Sequence, residues 1–417
     1  MEKKIKLLFA THLFYPAVGG VEIHLKHLTE GLAKRGYPVD VVTTNAYSTE
    51  AFFLGDQRRI ETDHETVDGV QVERLGFQTF GRRTLRFLAR VACRITYPLS
   101  HRIRMLSLGP RSFRFTRRIM AHDPDVIIAS PLPNMNIYFA AKAARRLNKP
   151  LIVISCYHIF DRCCFYNPIF FNILRQADRV IPHTAIEGDY LAQEGRIDPS
   201  KIMPLPPFPL TENRLLPELK DKTLLRNQYG IREKYVVLYL GQHGMHKKVN
   251  LVLDAMAVVW QAVRDTALVI AGGATGYTPK MKREAEKMKA RYGGNVYFFD
   301  NFKPEQKDDI FQLSDIFISL SEMESFGIVF VEAMNNGLPV IASKNSVTRL
   351  LAEEMETGIQ VEPRSVTEVA GAIIELLTDE TMRHRFSKNA REKAFTQYHP
   401  QKLLDQWEEL LSDVAHH

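Results

Sequence analysis

Two carboxylates, Glu324 and Glu332, stand eight positions apart in the stretch 321–340. Between them Ser325 and Gly327 suit a tight turn. Residues 328–334 then carry the apolar density of a helix that Gly337 and Pro339 bring to a stop. Val340, Ile341 and Ala342 resume as a buried strand. The start of such a helix presents free backbone N–H groups and the positive end of its dipole, which together make an anion site. With a diphosphate seated there, Glu324 reaches whatever hangs off one side and Glu332 the group on the other. A helix glutamate ordinarily faces water, but Ile328, Val329, Phe330, Val331, Ala333 and Met334 leave almost no polar face. A buried carboxylate needs partners. A vicinal diol such as a ribose, donating two hydrogen bonds, is preferred to a structural ion pair.

This block resembles the E-x7-E signature of the retaining glycosyltransferases of family 4, and the likeness extends along most of the chain. The resemblance implies a GT-B fold, an α/β architecture of two Rossmann-like domains with parallel sheets facing across a cleft that binds a nucleotide-diphosphate sugar. It further implies that Glu324 contacts the donor sugar and Glu332 the ribose. Ser325, Phe326 and Gly327 would offer backbone groups near the phosphates and sugar. A second block, residues 241–249, resembles the family's G-R-…-K-G segment, whose arginine and lysine neutralise the diphosphate. Lys247 matches the lysine, while Gln242 stands where arginine is usual and brings hydrogen bonds without charge. Lys248 and His246 are the nearby groups able to compensate. The mechanism implied is retention, with Glu324 and Lys247 in the catalytic roles and the leaving diphosphate taking the acceptor's proton.

The elements that must hold these groups alternate strand and helix. Residues 5–10 and 39–44 read as strands, with Val21, Leu25, Leu28 and Leu32 marking one face of the helix between them. Gly19 and Gly20 precede that helix, so a phosphate can approach the backbone closely. Matched to the family's Gly-Gly loop they become donor-phosphate or acceptor-side contacts, although the loop is not G-x-G-x-x-G. Strand, loop, helix, strand is a βαβ unit and implies a parallel sheet. Prolines 204, 206, 207 and 209 forbid helix or central strand and read as a stiff linker. The organisation expected is an acceptor-side domain over 1–205, a linker over 206–222, a nucleotide-sugar domain over 223–393, and a helix over 394–417 packing back on the first domain. Leu403, Leu404, Trp407, Leu411 and Val414 give that helix its apolar stripe.

Cys156 occupies the slot where the family often carries a histidine, with His158 two residues later as the candidate near the reacting carbon. A zinc site from Cys156, His158, Cys163 and Cys164 is disfavoured because adjacent cysteines seldom both ligate. Asp123-Pro124-Asp125 mimics a D-x-D metal motif, yet it sits where proline and aspartate punctuate the start of a strand. A metal-independent reaction with no cofactor beyond the nucleotide sugar is expected. Between Arg74 and His122 lie twelve arginines and no acidic residue. Arg82, Arg86, Arg90 and Arg94 recur at helical spacing, with Leu85, Leu88, Ala92 and Ile95 on another face. This reads as a basic amphipathic helix ending at Pro98, fit either for an anionic membrane surface or for pairing with acids elsewhere in the fold. The net charge of +7 mostly reflects this region, and no nucleic-acid motif accompanies it. No apolar run is long enough to span a bilayer, no signal-peptide core opens the chain, and the four cysteines lack a C-x-x-C pair. The protein is therefore expected in the cytoplasm, on the inner face of the cell membrane, acting on a glycan or lipid-linked acceptor. An epimerase of nucleotide sugars and an inactive scaffold remain as rivals. Product identity separates the first, and Gln242 is the reason to keep the second.

Overall fold

The computed structural model describes residues 4–53, 58–78, 82–92 and 97–415. The chain divides into two units, Met1–Phe208 with Pro400–His417, and Pro209–His399. In the first, seven strands form one sheet: β1 (Leu7–Thr11), β2 (Val39–Thr44), β3 (His64–Val67), β4 (Val70–Leu75), β5 (Val126–Ser130), β6 (Leu151–Ile154) and β7 (Arg179–Ile181). Their order is β3-β4-β2-β1-β5-β6-β7, parallel except for β3, which runs antiparallel to β4. β1, β2, β5 and β6 are buried along their whole length, as expected of strands covered by helices on both faces. The helix Gly20–Lys34 buries Leu25, Leu28 and Leu32 against β1 and β2.

The second unit holds β8 (Tyr235–Leu240), β9 (Thr266–Gly272), β10 (Asn295–Asp300), β11 (Ile316–Ser319), β12 (Val340–Ser343) and β13 (Gly358–Val361), all parallel. The order β10-β9-β8-β11-β12-β13 reverses direction between β8 and β11. In the first unit the reversal falls between β1 and β5. In open parallel sheets ligands gather outside the carboxyl ends of the strands at such a switch point. The loops that carry the motifs are the ones that follow β1, β8 and β11.

The helix Pro400–Ala415 belongs to the first unit. Leu403, Leu404, Trp407, Leu410, Leu411 and Val414 are all buried in one cluster with Leu7, Phe9, Leu25 and Leu28. Each such side chain contributes about 1.5–3 kcal/mol of burial. Gly31 makes the close approach possible, since a Cβ there would lie 2.7 Å from Leu404 Cδ2. The proline-rich stretch is packed chain, not a free spacer. Leu205 and Phe208 are core residues, and the Phe208 N–H donates to His24 Nδ1 at 3.0 Å. Proline restricts the backbone there, but the apolar residues between the prolines decide where it goes.

Candidate functional site

The geometry of the second unit is set by glycine. Gly272 has φ +138°, and a Cβ there would lie 2.0 Å from the Gly241 carbonyl oxygen, so the ends of β8 and β9 meet closely. The His243 N–H donates to the Gly273 carbonyl at 2.9 Å, and its buried ring has Nδ1 3.2 Å from Thr278 Oγ1. The Tyr239 hydroxyl donates to the Gln242 carbonyl at 3.0 Å. The segment after β8 is thereby pinned up to the turn Met245–Lys247 and the helix Val249–Ala262.

Opposite it, the loop after β11 enters the helix Ile328–Asn335 through Gly327, which has φ +102°. A Cβ at Gly327 would stand 2.7 Å from Thr348 Cγ2, so both conformation and space require glycine. Phe326 is buried edge-on against Tyr398, with centroids 5.7 Å apart, and anchors the loop from beneath. Ser325 is half-buried beside it, while the Gln242 side chain is exposed. Two salt bridges join the loops. Lys247 Nζ lies 2.5 Å from Glu324 Oε1, and Lys248 Nζ lies 2.7 Å from Glu322 Oε2. Two ammonium groups and two carboxylates thus stand at the switch point, beside the N-terminus of the helix Ile328–Asn335.

Glu332 is 3% exposed. Its Oε1 lies 2.5 Å from Lys307 Nζ and 3.9 Å from Arg214 Nη1, and Arg214 is itself forked onto Asp308 through Nη2 at 2.6 Å and Nε at 3.1 Å. The ion pair set aside on sequence grounds is therefore present. The closest approach of both cations is to Oε1, and among the described residues no hydrogen bond to Oε2 is formed. Lys307 and Arg214 carry no signature in the sequence. They reach Glu332 only through the fold.

In the first unit, the space over Gly19 is taken by a carboxylate. Glu22, in the first turn of the helix Gly20–Lys34, places Oε2 where a Cβ on Gly19 would come within 2.3 Å. Its Oε1 is 3.8 Å from His12 Nε2. Burial raises the Glu22 carboxyl to about 7 and lowers His12 to about 3, so His12 is neutral. Gly19 is thus needed first for its neighbour's side chain. A second buried carboxylate, Glu187, organises the loop after β6. It accepts from Ser155 Oγ at 2.5 Å, the Tyr157 N–H at 2.7 Å and the His183 N–H at 2.9 Å. Burial raises it to about 7 as well. Cys156 lies on this loop with φ +46°, its Sγ 3.2 Å from His183 Nε2. Burial, with the Glu187 charge beside it, pushes the thiol up, so it is a neutral core group. His158 is half-buried, its ring 4.8 Å from that of Phe165. The side chains of Cys163 and Cys164 lie outside the described residues. Asp125 accepts the Lys6 N–H at 2.8 Å and Asp123 turns the chain at φ +44°, which gives both structural work at the entrance to β5.

These buried carboxyls fix a pH dependence. A folded value near 7 against an unfolded value near 4.5 means the folded chain keeps protons that the unfolded chain releases, so stability falls as pH rises through that window and is level above it. His12 and His183, lowered to about 3 and about 4, act in the opposite direction and are costly only as pH falls below about 6.5. The Glu22→Gln variant is expected to gain about 2–3 kcal/mol relative to wild type between pH 5 and pH 7.5, read from urea midpoints. A difference independent of pH would refute the assignment.

The basic region is partly structural. Arg74 is buried on Glu65, with Nη2 also donating to the Tyr15 carbonyl at 2.6 Å, and Arg118 Nε donates to Glu73 at 2.6 Å. The helix Arg82–Ala92 exposes Phe87, Leu88 and Val91, so Leu88 does not face a core. The side chains of Arg82, Arg86 and Arg90, and all of Arg94, lie outside the described residues. Pro98 does not end this helix. It sits in the first turn of another, Tyr97–Leu108, where its missing N–H costs nothing. Leu99, Leu106 and Phe113 are also exposed, beside the exposed Arg102, Arg114 and Arg117. Among the described residues, no helix is long and apolar enough to cross a membrane.

Comparison with known proteins places this arrangement. Residues 19–207 match the glycosyl transferase 4-like domain and residues 221–393 match the glycosyl transferases of group 1. The chain is 28% identical over 200 residues to N-acetyl-alpha-D-glucosaminyl L-malate synthase of Bacillus anthracis, covering 47% of this chain and 50% of that protein. It is 25% identical over 357 residues to sulfoquinovosyl transferase SQD2 of Arabidopsis thaliana, covering 82% of this chain and 64% of that one. The chain spans about half the length of most curated relatives it matches. The crystal structure of Anabaena Alr3699/HepE in complex with UDP superposes with a TM-score of 0.74 at 20% identity, covering 98% of this chain and 100% of that one, which is a likeness of fold. With both units matched in order, the chain belongs to the group 1, family 4-like glycosyl transferases and has their two-unit GT-B fold.

Proposed function

We propose that this protein is a retaining glycosyltransferase that moves a sugar from a nucleoside diphosphate to a hydroxyl of a glycan or lipid-linked acceptor, without a metal ion. The observation that carries the reading is the pair of lysine–glutamate bridges beside the N-terminus of the helix Ile328–Asn335. Breaking the bond between sugar and diphosphate leaves negative charge on the diphosphate. Lys247 and the first amides of that helix supply a preorganised positive field where this charge grows. Glu324 leaves Lys247 for the sugar hydroxyls and fixes the anomeric carbon toward the incoming hydroxyl. Glu332, oriented by Lys307, offers Oε2 to the ribose diol. In the first unit, the Gly19-Gly20 loop would contact the donor phosphates or the acceptor, and His158 is the candidate near the reacting carbon. The names of the relatives, a glucosaminyl synthase and a sulfoquinovosyl transferase, and the UDP held by Anabaena HepE support a nucleotide-sugar donor. The exposed Phe87, Leu99 and Phe113, with Arg102, Arg114 and Arg117, support docking on an anionic cytoplasmic membrane face.

The test is a thermal-shift screen of UDP, GDP and ADP, followed by turnover of the sugar nucleotides of the best base with and without phosphatidylglycerol vesicles. One base is expected to raise the melting temperature, and its sugar nucleotide to be consumed with the anomeric configuration kept. Stabilisation by none of them, or an inverted product, would overturn the reading.

A further inference from the structure

Lys248 stands at an unusual backbone position. It precedes the helix Val249–Ala262 with φ +59° and ψ +26°, the left-handed region that glycine enters freely and lysine does not. A residue held there against its preference points to a use for its side chain. That side chain reaches Glu322, Nζ to Oε2 2.7 Å, and so lies beside the Lys247–Glu324 bridge.

Charge explains the use, taking the nucleoside-diphosphate reading above as its premise. The two loops carry Lys247, Lys248, Glu322 and Glu324, which cancel, and Gln242 adds nothing. A bound diphosphate brings about two negative charges, and a buried charge must be paired. Lys247 can meet one of them when Glu324 turns to the sugar. The second needs a cation whose departure does not strand its present partner. Lys248 meets that condition, because Glu322 Oε2 is also 3.9 Å from Arg364 Nη2, on a side chain that is 73% exposed and free to move closer.

We propose that Lys248 is the second diphosphate-neutralising cation of this enzyme, held on Glu322 until the donor arrives, with Arg364 taking over Glu322 when Lys248 leaves it. Lys248 thus supplies from the start of one helix the charge that position 242 lacks. The three groups work as an exchange. Donor binding swaps one ion pair for two, Lys248 with phosphate and Arg364 with Glu322.

The experiment uses the whole chain and calorimetric binding of whichever of UDP, GDP and ADP stabilises it most, each against its own nucleoside. Lys248→Gly removes the ammonium while suiting the left-handed backbone, so the fold is kept. Its dissociation constant for the nucleoside diphosphate is expected to rise roughly ten- to hundred-fold, the value of one charge-assisted hydrogen bond, with the nucleoside unchanged. Adding Gln242→Arg to that variant is expected to restore most of the loss, because a cation is returned to the same phosphates. Arg364→Ala should weaken the diphosphate by a few-fold and leave the nucleoside alone. Unchanged diphosphate affinity in Lys248→Gly would overturn the proposal, as would a loss that Gln242→Arg does not repair. If the wild-type chain bound no nucleoside diphosphate at all, the failure would lie with the proposed function instead.

Discussion

Glu324→Ala is expected to lower kcat/KM for the sugar nucleotide by about a thousand-fold in a protein that still folds, the range that positioning and electrostatic groups supply. The carboxylate is 18% exposed and its partner Lys247 21%, so the bridge lies where solvent still reaches it. Losing such a pair costs little stability, on the order of 1 kcal/mol. The expected signature is thus a large kinetic loss with an almost unmoved unfolding midpoint. Lys247→Ala should act on the same step through the leaving diphosphate, by about a hundred-fold or more. The two losses should not add, since each residue holds the other in place before the donor binds. Steady-state kinetics on both single variants and the double decide it. Wild-type kcat/KM in Glu324→Ala would remove that residue from the chemistry.

The largest stability effect is expected at Glu332. Lys307→Met leaves a carboxylate 3% exposed with, among the described residues, Arg214 as its remaining cation, at 3.9 Å and already committed to Asp308. Removing one partner of a buried pair costs about 3–5 kcal/mol, whereas replacing both with apolar groups can be neutral. The variant should therefore unfold at markedly lower urea, and Lys307→Met with Glu332→Leu should recover most of the loss. The recovered protein also isolates the second role of Glu332. If Oε2 holds the ribose, wild type discriminates against 2′-deoxynucleoside diphosphates and the double variant does not. A Lys307→Met chain as stable as wild type would show that the pair does not hold the site.

Much of the scaffold is legible in the residues. β1 and β2 fall at or within two residues of the stretches 5–10 and 39–44 read as strands, because buried parallel strands are rich in apolar and β-branched residues. The reading leaves out β3, whose alternating, largely exposed pattern carries little apolar signal. Its marker is the dipeptide Asp68-Gly69, both at positive φ, a preferred two-residue hairpin turn. Pro98 shows the opposite limit, since a proline that ends one helix and a proline that opens another look alike in sequence. The site divides the same way. Glu324, Glu332 and Lys247 stand out by spacing and type. Lys307 and Arg214 are ordinary surface residues until the chain brings them to Glu332, from 25 residues away in the case of Lys307. Glu22 and Glu187 sit in the first turns of helices, where acidic residues are common, and nothing local says that those two face inward. Burial is a property of the fold, and it alone gives them their raised proton affinity.

The helix Pro400–Ala415 completes a core whose other members include Leu7 and Phe9, at the opposite end of the chain. On the ribosome, the first unit therefore waits. Its sheet emerges early with a seam that Leu403, Leu404, Trp407, Leu410, Leu411 and Val414 will cover, while the contiguous stretch Pro209–His399 is synthesised in full before them. The core begun first is the one completed last. A chain released prematurely, or nicked ahead of Pro400, is an unfinished protein with an open apolar seam, and quality control can recognise it by that seam.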